Sequence, residues 1–178
     1  MTAPSCLNQP TPTMAATVAK RILVAGVGNI FLGDDAFGVE VAQRLARQEL
    51  PAGVEVRDFG IRSYDLAYAL MDGYDVSILV DATHQGGTPG TLYLIEPDGH
   101  ELDKVAREPV DGHRMNPAAA LHLVKTMGGE PGRLFLVGCE PATLLAEDDQ
   151  LGLSEVLRPL VDDAVVMIKE LITQLNTE

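Results

Sequence analysis

Apolar positions along the chain switch between two periods. Five short runs, at Ile22–Ala25, Val54–Asp58, Val76–Val80, Thr91–Ile95 and Arg133–Val137, have the length and spacing of strands. Val76–Val80 is almost continuously apolar, as a central parallel strand buried on both faces should be. Between the runs the period lengthens. Phe37, Val41 and Leu45 fall on one stripe of the stretch Phe37–Leu50, with Glu40, Arg44 and Arg47 off it, which predicts an amphipathic helix. Tyr64–Met71 predicts a second. A third has Asn116 as N-cap, Pro117 in its first turn, Ala118–Met127 as body and Gly128 as stop. A last helix carries Leu157, Val161, Val165, Ile168, Ile172 and Leu175 on one side, and Pro159 either starts or kinks it. Strands alternating with helices imply right-handed crossovers and a mostly parallel sheet with helices on both faces, an α/β fold. There is no internal repeat.

Composition narrows the partners more than the fold. The 178 residues suit one domain that buries roughly 70% of its unfolded surface. Thirteen Lys and Arg stand against 26 Asp and Glu, a formal net charge of −13. That argues against nucleic acid or an anionic membrane, which reward clustered cations. It is compatible with metal ions or basic peptides, and a solvated acidic surface accounts for most such charge. Cys6 and Cys139 do not make a disulfide framework, which fits a reducing cytoplasm. No apolar stretch reaches the ~20 residues needed to span a bilayer. Residues 1–20 lack a basic start and an apolar segment, so they read as a disordered N-terminal extension rather than a signal peptide, with residues 21–178 as a single domain.

The candidate chemistry begins after the first strand. Gly26-Val27-Gly28 between a strand and a helix has the context of a dinucleotide fingerprint. Phe31, however, stands at the third glycine position, and Asp34 and Asp35 bring negative charge to where a pyrophosphate would sit. A cation is the more natural guest. In open parallel sheets ligands bind at the carboxyl ends of the strands. Asp35 follows the first strand, Asp81 ends the run Val76–Val80, and His113 lies in the loop before the Asn116 cap. Two carboxylates and one imidazole suit a divalent first-row metal with open positions.

Each of these residues has a plainer role to compete with. Asp34 could be an N-cap, Asp35 could complement the helix dipole, and Asp81 could make a loop hydrogen bond. His84 is a reserve ligand, while His100 and His122 suit a polar loop and a helix face. Cys139 suits a small buried hydrophobe. Asp58, ending the second strand, keeps a nucleotide- or NAD-binding alternative open, as the acid that would hold a ribose. A non-catalytic metal-site assembly factor using the same three ligands is the third reading. The nucleophile motif G-x-S-x-G and the zinc-binding motif H-E-x-x-H are both absent.

Gly26-x-Gly28-Asn29-x4-Asp34-Asp35-x-x-Gly38, Val80-Asp81-Ala82, Gly112-His113-x-Met115-Asn116-Pro117 and Leu136-Val137-Gly138-Cys139-Glu140-Pro141, in this order, resemble the signature of the [NiFe]-hydrogenase maturation endopeptidases over residues 20–175. The resemblance implies a three-layer α/β/α domain around a five-stranded sheet. It implies a monomeric hydrolase that removes a C-terminal peptide from the hydrogenase large-subunit precursor after nickel insertion. It implies that Asp35, Asp81 and His113 form the catalytic and nickel-contacting set. The nickel would be presented by the substrate, and weakly held or absent in the free enzyme. Members often carry Glu at the position of Asp35, and Gly at the position of Ala36. The extension before residue 20 also departs from the usual start.

Overall fold

A computed structural model describes residues 19–98, 117–144 and 152–178. The first eighteen residues, His100, His113 and Asn116 lie outside these. Five strands form among the described residues: β1 (Ile22–Val27), β2 (Val54–Gly60), β3 (Val76–Ala82), β4 (Leu92–Ile95) and β5 (Arg133–Cys139). Four α-helices among the described residues accompany them: α1 (Phe37–Leu45), α2 (Ser63–Leu70), α3 (Pro117–Thr126) and α4 (Leu160–Leu175). A short 3-10 turn, Gly33–Ala36, leads into α1.

The sheet runs β2-β1-β3-β5-β4, parallel throughout except for β4, which is antiparallel to β5. The exception follows from the linker. Residues 83–91 between β3 and β4 hold no helix, and a parallel return needs a longer crossover. β3 and β1 lie at the centre and are buried almost end to end.

Period-two alternation divides the core between the two faces. Ile22, Val24, Ile78, Val80 and Val137 pack with Phe37, Val41 and Leu45 of α1 and with Val161, Val165, Ile168 and Ile172 of α4. Leu23, Ala25, Leu79 and Leu134 pack on the other side with Leu66 and Leu70 of α2 and with Ala120, Leu121 and Val124 of α3. The result is the three-layer α/β/α arrangement.

One helix ends several residues earlier than the sequence reading has it, and an alternative that reading left open at another is settled. α1 stops at Leu45 instead of Leu50, because the next position on its apolar stripe is Glu49 and nothing buries a further turn. Pro159 starts α4 and does not kink it: its φ of −68° is already helical, and Leu157 packs fully buried in the turn before it. No helix among the described residues is long and apolar enough to cross a membrane.

Candidate functional site

The glycines after β1 serve packing. A Cβ on Gly26 would lie 2.4 Å from the Gly38 carbonyl oxygen and 2.5 Å from the Ala42 Cβ. A Cβ on Gly38 would lie 2.0 Å from the Val80 oxygen and 2.3 Å from the Val27 oxygen. The first turn of α1 is therefore wedged between the ends of β1 and β3, an approach open only to glycine. Gly28 has φ +135°, and its Cβ would fall 1.8 Å from the Asp35 carbonyl oxygen. The 3-10 turn folds back onto the strand end where a phosphate cradle would otherwise open.

The two adjacent aspartates of that turn have different tasks. Asp34 is fully buried and caps nothing; no side-chain cap bond is made at the start of the 3-10 turn. Instead its Oδ2 accepts the amides of Ala142 and Thr143 at 2.9 and 3.0 Å, and its Oδ1 accepts that of Ser154 at 2.7 Å. The Asp34 amide donates to the Thr143 carbonyl at 3.1 Å. The N-cap reading is thus replaced. Asp34 ties the segment after β5 and the approach to α4 to the loop after β1. The need for it arises from amides more than a hundred residues away in sequence. Asp35 is half-buried, and its Oδ2 accepts the Asn29 amide at 2.8 Å. The Asn29 side chain in turn accepts the Phe31 amide at 3.0 Å, so the loop that carries Asp35 is internally braced.

Asp81 sits within β3, opposite Gly138 of β5, and faces α3 with Leu79. It is 7% exposed. Burial, and then the charge of Asp35, hold its carboxyl well above the usual carboxylate range, against a smaller opposing pull from the Ala82 amide. Asp35 and Asp81, from separate elements, are therefore brought within each other's field at the carboxyl edge of the sheet. His113 lies outside the described residues. Among the described residues no three His, Cys, Asp or Glu side chains converge on one point that could hold a metal. What the described residues supply is a pair of hard oxygen donors, one of them desolvated, which fits a divalent cation that brings further ligands of its own.

Beside Asp81 opens a cleft of about 420 Å³, bounded by Leu79, His84, Pro117, Leu121 and Leu136. Its wall depends on a residue that the sequence reading placed in a motif without giving it a role. Glu140, 3% exposed, accepts the Gln85 amide at 2.8 Å, the Gly87 amide at 3.2 Å and the Tyr93 hydroxyl at 2.9 Å, and meets His84 Nδ1 at 3.1 Å. These bonds, that from Gln85 foremost, hold its carboxyl down at about 2. Glu140 thereby fixes the loop after β3 against β4. The only cue in the sequence was an acid just past the end of a strand, three residues beyond the run Arg133–Val137.

The remaining candidates take plainer places. His84 turns Nδ1 to Glu140, and its side chain is 64% exposed. Cys139 is buried, and burial pushes its thiol up to about 12, so it behaves as a small hydrophobe. His122 lies half-buried on α3. Asp58, the acid a dinucleotide site would need, lies inside β2 and accepts a bond from Gln43 at 3.2 Å.

Comparison with known proteins agrees with this geometry. The sequence profile of the hydrogenase maturation proteases matches residues 39–171. A Methanocaldococcus jannaschii protein named for that activity is 35% identical over 153 residues, 84% of this chain and 94% of its own length. The hydrogenase 2 maturation protease of Escherichia coli is 31% identical over 150 residues, 83% of this chain and 88% of its own. The solved structure of the Escherichia coli hydrogenase maturating endopeptidase HybD superposes with a TM-score of 0.71 at 29% identity, over 86% of this chain and 93% of that one. Matched along most of its length in sequence and in fold, the chain belongs to the hydrogenase maturation protease family.

Proposed function

We propose that this peptide hydrolase removes a C-terminal peptide from the large-subunit precursor of a [NiFe]-hydrogenase, and that nickel already seated in the precursor licenses the cut. Family membership supplies the reaction class and the hydrogenase substrate. The observation that supports nickel sensing is the carboxylate pair. Asp81 is buried beside a second carboxylate, and such a pair is costly when ionised unless a cation or a proton neutralises it. His113 is the third member of the proposed set. An incomplete set of donors holds a free ion weakly and can share one that the substrate already ligates, so tight engagement requires a loaded precursor. Water held near the ion adds across the scissile amide, its hydroxyl going to the carbonyl carbon and its proton to the leaving nitrogen, with the carboxylates as the proton carriers nearest at hand. The enzyme acts as a cytoplasmic monomer that meets its partner transiently.

The test is a processing assay on purified precursor, prepared with and without nickel and read as a mobility shift of the large subunit. Shortening of the loaded precursor alone is expected. Equal shortening of both forms would overturn the licensing role. Stable co-elution with no shortening would make the chain a non-catalytic assembly factor. Asp35→Asn, Asp81→Asn and His113→Ala should each abolish processing, while His122→Ala should not. Full activity in any of the first three removes that residue from the set.

A further inference from the structure

Large apolar side chains are left in solvent around the same edge of the sheet that carries Asp35. In the loop after β1, Ile30 is 47% exposed, Phe31 65% and Leu32 40%. After β2, Ile61 is 48% exposed, and on α2 Tyr64 and Tyr68 are 64% and 62% exposed. The two groups leave the sheet side by side. Val27 pairs with Gly60, and the Gly28 amide donates to the Gly60 carbonyl at 3.1 Å. Tyr64 and Tyr68, four residues apart, share the face of α2 opposite its buried Leu66, Ala67 and Leu70.

This exposure is built in. The Leu32 amide donates to the Asn29 carbonyl at 3.0 Å, and the Phe31 amide to the Asn29 side chain at 3.0 Å. Three consecutive apolar residues are thereby held outward in a bonded turn. Polar groups rim the patch: Arg62 bonds the Phe59 and Asp58 carbonyls and pairs with Asp65. Aromatic and aliphatic side chains inside a polar rim have the make-up of a protein–protein contact. The other large apolar side chains exposed among the described residues, Leu94, Met127, Val156 and Val166, are scattered over other elements.

We infer that the surface formed by Ile30, Phe31, Leu32, Ile61, Tyr64 and Tyr68 docks an apolar face of the folded large-subunit precursor beside its C-terminal segment. Continuity with the site selects this occupant. The Asp35 amide donates to the Leu32 carbonyl at 3.1 Å, so the loop that carries Phe31 runs directly into the turn that holds Asp35, and a macromolecule reaching Asp35 has that apolar loop beside it. The inference rests on the proposed function, in that the precursor has to reach Asp35. It adds that much of the affinity comes from apolar contact away from the reacting centre, which orients the scissile bond.

The experiment pairs binding with cleavage. Phe31→Ser/Tyr68→Ser is compared with the wild type and with Val166→Ser, for binding to immobilised nickel-loaded precursor and for processing rate against precursor concentration. The double variant should melt with the wild type, weaken binding about tenfold or more and raise KM in step, with kcat within about twofold. Val166→Ser should match the wild type in both readouts. Unchanged binding and KM in the double variant overturn the docking surface while leaving the proposed function standing. A wild type that binds but never cuts, with binding lost in the double variant, overturns the proposed function and keeps the surface. A wild type that sediments as a dimer, with the double variant a monomer, assigns the patch to a second copy and overturns the inference.

Discussion

Replacing Asp34 tests whether its burial is structural, because neighbouring Asp35 supplies the control. Its carboxylate is fully buried and satisfies three backbone amides, those of Ala142, Thr143 and Ser154. A bond from an amide to a charged acceptor contributes about 1.5–3 kcal/mol, and a buried amide left without a partner costs about 1–3 kcal/mol. Three such losses in Asp34→Ala are offset in part, because a carboxylate no longer has to be desolvated and water can enter the space. A net loss of about 3–5 kcal/mol is the reasonable figure, as for breaking other buried charged contacts. Asp34→Asn can keep two of the amides on its oxygen, but sets its NH2 against the third, and should lose about 2–3 kcal/mol. In a chain of this size each kcal/mol moves the melting temperature by about 2–4 °C, so Asp34→Ala should melt roughly 6–20 °C lower. Thermal unfolding followed by circular dichroism reads this directly. Asp35→Asn, half-buried and beside a second carboxylate, should melt close to the wild type. If Asp34→Ala melted within about 2 °C of the wild type, the three amides would have other partners and the account of Asp34 as a tie would be wrong.

Three further outcomes follow from the same geometry. Asp81→Asn should be inactive yet more stable than the wild type near neutral pH, since it removes a carboxyl that must either ionise in a buried, like-charged site or take up a proton there. The sign follows from a folded value raised above the unfolded value of ~3.9: the penalty grows as pH rises through ~3.9, so the two melting temperatures should converge toward pH 4 and below. A gap that persists in acid would refute burial as the cause. Glu140 runs the other way, with a folded value of about 2 against an unfolded value of ~4.3. Its contribution is complete above ~4.3 and fades as pH falls toward 2, so the melting difference between the wild type and Glu140→Gln should close across that window. Gly38→Ala forces a methyl group into two carbonyl oxygens and should cost about 3 kcal/mol or more; soluble, wild-type-like melting would mean that α1 can slide away from β1 and β3.

The order of strands and helices, and the identity of the buried faces, were legible in the chain itself, because hydrophobic period is a local property. Val76–Val80 announced a central strand, and Phe37, Val41 and Leu45 announced the face of α1. Topology alone put Asp35 and Asp81 at one edge of the sheet, and the structure places the two carboxylates within each other's field there. Three things were decided only by the tertiary structure, each by contacts far apart in sequence. Asp34 looked like a helix cap until the amides of residues 142, 143 and 154 arrived around it. Glu140 became the anchor of the loop after β3 because Gln85, Gly87 and Tyr93 all turn toward it. The glycines after β1 looked like a phosphate loop, and only the close crossing of α1 over β1 and β3 revealed them as space for backbone. Local pattern specifies which face of an element is buried. Which polar group meets a buried charge is set when elements distant along the chain pack together, and no period in the sequence encodes that meeting.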